Sequence, residues 1–153
     1  MLALPYKLSN VDTCTLFRDH FLLACHKNTH FLNPENYIFE NLPDESVLLL
    51  EDGHCLRDHA LSACKLQNQE TVSRFSASSL YTLIEMVDSD IGVTYLTEMA
   101  KGSMILKHTD IKTYSLGKES YREIGLAWRK GSARSEEFQL LGEMIKASHQ
   151  AEG

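Results

Sequence analysis

The residues best equipped for chemistry lie in one segment, Glu51-Asp52-Gly53-His54-Cys55-Leu56-Arg57-Asp58, followed by a second cysteine, Cys64. Cysteine reacts as its thiolate, so a reactive cysteine needs neighbours that favour the anion. Around Cys55, His54 and Arg57 supply positive charge or hydrogen bonds, and Gly53 permits an unusual backbone turn. A helix opening at Leu56 would aim its free N–H groups back at the sulfur. Asp58 opposes this unless Arg57 or the helix terminus neutralises it. Cys64 has apolar companions, Ala60 and Leu61, and only Lys65 as a nearby charge. For a redox pair, that asymmetry makes Cys55 the attacking thiol and Cys64 the resolving one. Peroxide converts such a thiolate to a sulfenic acid, which condenses with a second thiol.

On one continuous helix the two sulfurs would face opposite sides, about 13 Å apart along the axis. A disulfide requires Cα atoms within roughly 7 Å. Either these thiols never meet, or their meeting unwinds the segment. Unrelated cysteines are the rival reading. A zinc site from Cys55, His59 and Cys64, with Cys25 or His26, lacks the close two-spacer cysteine pair of zinc ribbons, so no metal is expected. His26 and His30 lie at a strand end and in a loop, which predicts solvated histidines. Trp128 reads as a strand residue packed in a core. Arg122, at the head of that strand, reads as an exposed charge, with a supporting role at the cysteine site as the alternative. Neither a phosphate-binding glycine loop nor a G-x-S-x-G elbow is present.

At 153 residues the chain is long enough for one domain with a real core. Its 43% hydrophobic and 24% charged residues are ordinary globular values and exclude a disordered or fibrous class. The net charge of -6, without any run of lysine or arginine, gives no electrostatic footprint for nucleic acid. No apolar stretch approaches a membrane span, and Met1-Leu2-Ala3-Leu4 lacks the features of a secretory signal. These observations predict a soluble, cytoplasmic protein. In a reducing compartment its four cysteines are either buried and inert or chemically employed.

The elements that must position the pair follow an alternating pattern. Cys14–Phe17 and Phe21–Cys25 predict two strands separated by a polar turn at Arg18–His20. Asn33-Pro34 predicts a capped helix running to about Asn41. Val47–Leu50 suits a strand buried on both faces. Leu56, Ala60, Leu61 and Cys64 recur at helical spacing, Val72–Phe75 reads as a strand, and Ser78 or Ser79 caps a helix carrying Leu80, Leu83, Ile84 and Val87. Val93–Leu96, Ile111–Leu116 and Ile124–Trp128 read as strands, with a brief helical turn over Met99–Met104. Glu136–His149 predicts a helix with Phe138, Leu141, Met144 and Ile145 on one face. Strands separated by helices predict an α/β fold with substantial parallel pairing. The strand-like Leu2–Leu4 begins at the first residue, which predicts a chain that is part of something larger.

Leu50–Asp58 with Cys64 resembles the redox segment of the peroxide-sensing OxyR branch of the LysR-type transcription regulators. Leu16-Phe17 with Phe21–Ala24, Ser79–Val87 with Gly92–Leu96, Arg122–Arg129 and the last helix resemble further elements of that regulatory domain. The resemblance implies a type II periplasmic-binding-protein-like LysR effector domain with a complete second subdomain and a truncated first one. Residues 1–16 would be a remnant of the first subdomain, 17–123 the second, and 124–153 the return segment and C-terminal helix. It implies a non-enzymatic regulatory domain without cofactor. Cys55 would be the peroxide-attacking thiol and Cys64 its disulfide partner, supported by His54, Arg57, Asp58 and Arg122. The implied partners are hydrogen peroxide, further copies in a homodimer or tetramer, RNA polymerase, and a glutaredoxin or thioredoxin reductant. DNA would be reached only through an N-terminal winged helix-turn-helix absent from this chain.

Departures accompany the resemblance. Asp88–Ile91 replaces the usual glycine-rich turn before Gly92, and Cys14 and Cys25 fall where apolar packing residues are expected. Two rival classes stay open. One is a small-molecule-binding LysR domain with incidental cysteines. The other is a thiol oxidoreductase, which the absence of a C-x-x-C motif disfavours.

Overall fold

Three short runs, Val47–Leu50, Val72–Ala77 and Thr94–Thr97, form the strands β3, β4 and β5 around which the cysteine segment is built. The computed structural model describes residues 1–4, 9–37, 41–52, 55–63 and 70–151. The remaining strands are β1 (Leu2–Leu4), β2 (Val11–His26), β6 (Ile111–Ser115) and β7 (Tyr121–Arg129). The helices are α1 (Cys55–Ala63), α2 (Leu80–Asp88), the short α3 (Glu98–Lys101) and α4 (Ser135–Ala151). Two compact units result: Met1–Asp19 with Tyr121–Gly153, and His20–Ser120.

In the second unit β3 and β4 pair in parallel. A parallel bridge between Val47 and Val93 brings β5 alongside β3. Reciprocal bonds lock this contact: Leu48 N–H to Val93 O (2.8 Å) and Val93 N–H to Ser46 O (2.9 Å). The order β3–α1–β4–α2–β5 follows the requirement that parallel neighbours be joined by a crossover. The expected parallel pairing is confined to these three strands, because β2 meets both β5 and β6 antiparallel. Gly92 leads into β5 for a steric reason: a Cβ there would lie 2.5 Å from Ser46 O and 2.9 Å from Leu48 Cγ.

Both faces of β3 and β5 are covered, so these two strands are buried at every position without alternation, whereas β4 leaves Arg74, Phe75 and Ser76 exposed. Phe21, Leu23, Cys25, Val47, Leu49, Val93 and Tyr95 form one core with Ala60 of α1. Leu48 and Leu50 pack with Leu83 and Val87 of α2, while Ala24 and Leu96 pack with Ile84. Ser79 caps α2 by accepting the Thr82 N–H (3.1 Å), a bond typically worth ~1 kcal/mol. At the other end, Asp90 takes a left-handed φ of 53°. Its N–H bonds Val87 O and the Ile91 N–H bonds Met86 O, so an aspartate terminates the helix where glycine is common.

The first unit pairs β1 antiparallel with β7, and β7 lies beside β2. Three expectations about local elements change in this structure. First, Arg18–His20 makes no turn: β2 runs unbroken because Asp19 is buried and ion-paired rather than solvated. Second, Leu141 and Met144 are exposed, and α4 presents Phe138, Gly142 and Ile145 inward instead. Gly142 sets that rotation, since its Cα comes close enough to β2 and β7 that a Cβ would meet Cys14 Sγ at 3.2 Å and Leu126 Cδ1 at 3.6 Å. Third, Pro34–Asn36 is a single 3-10 turn rather than a helix reaching Asn41. Residues 38–40 of that expectation lie outside the described ones.

Candidate functional site

Strand β3 is buried at every position and ends at Leu50, so the chain emerges at the carboxyl end of the parallel strands. Ligand and reaction sites of open α/β sheets gather at that edge. Asp52 follows with its side chain 94% exposed. Cys55 is the first residue of α1, a free thiol exposed to solvent. Ala60 is buried, and Leu56, Leu61 and Ala63 pack partly buried against the same core, which leaves Cys55, Asp58 and Ser62 outside. Cys55 therefore stands where the first N–H groups of a helix lack intrahelical partners, a position that suits an anion. Asp58 occupies the first turn, where a carboxylate also suits the helix dipole.

Arg57 is turned back along the chain. Its Nη1 donates to the Leu50 carbonyl oxygen (3.0 Å) and its Nε to Asp52 Oδ1 (2.8 Å). The guanidinium, largely buried, thus ties the first turn of α1 to the end of β3. Sequence reasoning singled out Arg57 but missed both partners. A backbone carbonyl leaves no mark in sequence, and Asp52 stands out only as a carboxylate five positions earlier. His54 and Cys64, both singled out from sequence, lie outside the described residues.

Arg122 belongs to the other unit, on β7. Its Nε and Nη2 donate to the same oxygen, Asp19 Oδ2, at 3.0 and 2.8 Å. The Asp19 side chain is 0% exposed and that of Arg122 14%, so the exposed charge expected at Arg122 is instead a buried ion pair. Beside it, the Arg18 guanidinium stacks 4.2 Å from the centre of the Tyr121 ring.

The other cysteines differ from Cys55. Cys25 is fully buried, and burial, followed by the nearby Asp90 carboxylate, pushes its thiol up to about 11. That cysteine is a packing residue, as expected. Cys14 is only half-buried, because it sits at the α4 contact rather than in the main core. His26 Nδ1 accepts the Asn28 N–H (3.3 Å), and His30 pairs with Asp90 (2.9 Å). Among the described residues, no three His, Cys, Asp or Glu side chains are placed to share a metal ion. No described helix is long and apolar enough to cross a membrane. Trp128 is buried as expected and stacks on Phe138.

A family model described as LysR substrate binding domain matches residues 2–150. The HTH-type transcriptional regulator EstR of Acinetobacter baylyi is 34% identical over 148 residues, covering 95% of this chain and 48% of that protein. The DNA-binding transcriptional dual regulator OxyR of Escherichia coli is 34% identical over 132 residues, covering 86% and 43% respectively. Among solved structures, the reduced regulatory domain of OxyR2 from Vibrio vulnificus matches with a TM-score of 0.88 at 36% identity, over 95% of this chain and 68% of that one. The reduced OxyR regulatory domain from Pseudomonas aeruginosa matches with a TM-score of 0.76 at 29% identity, over 95% and 70%. The mixed α/β fold described above is that of OxyR regulatory domains. The chain spans about half the length of the curated relatives it matches.

Proposed function

From the premise that this chain belongs to the LysR substrate-binding domain family, we propose that it is the peroxide-sensing regulatory domain of a cytoplasmic transcriptional regulator. One observation carries the reading. An exposed thiol, Cys55, heads a short helix at the carboxyl end of a parallel strand, in a fold matching OxyR regulatory domains. The Cys55 thiolate attacks one peroxide oxygen, the O–O bond breaks, and the departing hydroxide takes a proton to leave as water. The Cys64 thiolate then displaces the oxygen of the resulting sulfenic acid as a second water, forming the disulfide. The pair is oxidised by two electrons and peroxide is reduced to two waters.

His54, Arg57 and Asp58 flank the attacking thiol in sequence, and the family resemblance adds Arg122 to this set. The redox segment lies in the second regulatory subdomain, over about 17–123, a span that contains the whole unit His20–Ser120. The chain acts as a signal receiver rather than an enzyme. The whole regulator forms a homodimer or tetramer and contacts DNA through a helix-turn-helix domain. It addresses RNA polymerase and is reset by a glutaredoxin or thioredoxin.

The test is intact mass after brief exposure to low hydrogen peroxide. A loss of two hydrogens that Cys55→Ser abolishes is expected, with peptide mapping joining Cys55 to Cys64. A disulfide formed mainly between Cys14 and Cys25 would overturn the assignment. A second reading rests on the family model's description as a substrate binding domain and on EstR, which is as similar as the Escherichia coli protein, covers more of the chain and is named only as a transcriptional regulator. In that reading the domain binds an organic effector and its cysteines are incidental. Thermal stabilisation by a small organic acid, without peroxide-driven mass loss, would select it.

A further inference from the structure

We infer that Arg57 is a strap that holds α1 in its helical, reduced form and thereby sets the redox potential of the Cys55–Cys64 couple. The inference rests on the peroxide-sensing reading. Arg57 bonds two groups that both precede the thiol: the carbonyl of Leu50, the last residue of β3, and the carboxylate of Asp52. It therefore closes the chain from residue 50 to residue 57 into a loop containing Cys55. The two ends of α1, Cys55 and Ala63, stand about 12 Å apart along its axis, the following Cα can lie only about 3.8 Å from that of Ala63, and a disulfide needs Cα atoms within roughly 7 Å. Oxidation to that disulfide must therefore melt α1.

Helix α1 has nine residues, too few to persist without tertiary anchors, and a single remaining turn has no stability of its own. Melting therefore takes the first turn with it, and the Arg57 bonds must break. Leu56 and Ala60 anchor the helix body by apolar contact. Arg57 is the charged anchor at the end where Cys55 sits. Its bond to the Leu50 carbonyl is partly buried, whereas Asp52 is open to water, so the carbonyl bond dominates. Arg57 is thus a positioning residue that weights the equilibrium toward the dithiol.

The experiment equilibrates the chain with glutathione buffers of graded ratio and measures the Cys55–Cys64 dithiol–disulfide equilibrium constant. Arg57→Gln should favour the disulfide by about tenfold, or about 30 mV for this two-electron couple. Asp52→Asn alters only a solvated side chain and should favour it by about twofold. Arg57→Lys, retaining one donor and the charge, should fall between parent and Arg57→Gln. If the parent forms no Cys55–Cys64 disulfide, the peroxide-sensing reading itself fails. If it forms the disulfide but Arg57→Gln and Asp52→Asn leave the constant unchanged, or shift it toward the dithiol, the strap alone is overturned. An unchanged constant with slowed Cys55 oxidation would instead make Arg57 a thiol-activating group and also overturn the strap.

Discussion

Substituting Arg122 tests the buried ion pair at the start of β7. Asp19 is wholly enclosed and receives two guanidinium N–H donors on one carboxylate oxygen, at 2.8 and 3.0 Å. Arg122→Ala leaves that carboxylate without these donors in a site that water does not reach. Breaking a buried pair by removing one partner costs about 3–5 kcal/mol. In a chain of this size each kcal/mol moves the thermal midpoint by about 2–4 °C, so a fall of roughly 6–20 °C is expected. Replacing both partners, Asp19→Leu with Arg122→Met, removes the desolvation cost together with the attraction. That double variant should lie within about 1 kcal/mol of the parent or above it. Urea unfolding followed by fluorescence suits the measurement, since the chain has one tryptophan, Trp128, buried in the same unit and on the same strand as Arg122. The loss should persist at high salt, because a buried pair is screened little. A cost below 1 kcal/mol for Arg122→Ala would refute the reasoning. So would a double variant as destabilised as the sum of the single substitutions.

Two further outcomes follow from single positions. Burial raises the Cys25 thiol from near 9 to about 11, so above pH 9 the unfolded chain releases a proton that the folded chain keeps. Stability should therefore fall with rising pH between about 9 and 11, by up to about 1.4 kcal/mol per pH unit from this group. Cys25→Ala should flatten that part of the urea-midpoint profile, and at pH 8 a maleimide should label Cys55 in the native chain but Cys25 only in denaturant. Gly92→Ala pushes a methyl to 2.5 Å from a backbone oxygen and should cost at least about 1–3 kcal/mol in urea unfolding. Gly102→Ala, whose added methyl meets nothing closer than 3.6 Å, serves as the control and should stay near the parent value.

Much of the fold was legible because it rests on local periodicity. Val47–Leu50, the Leu83–Val87 stripe, the Ser79 cap and the terminal helix all express short-range rules and appear as expected. Legibility failed where a partner distant in sequence reversed a local signal. Arg18–His20 reads as a turn because three polar residues ordinarily seek water. Here Arg122, 103 positions away from Asp19, satisfies the carboxylate inside the strand. Leu141 and Met144 share a helical stripe with Phe138, yet Gly142 decides which side of α4 can approach the sheet.

The cysteine segment divides in the same way. Sequence by itself determined that Cys55 has charged and glycine neighbours while Cys64 has apolar ones, and it carried the family resemblance. Those properties belong to residue types and spacing. Only the tertiary structure decided that Cys55 is exposed at the head of α1, that Cys25 is sealed in the core, and that Arg57 reaches back to Leu50 and Asp52. The physical reason is that a side chain's type limits which bonds it can make. Folding determines which partners come within about 3 Å and whether water competes for them.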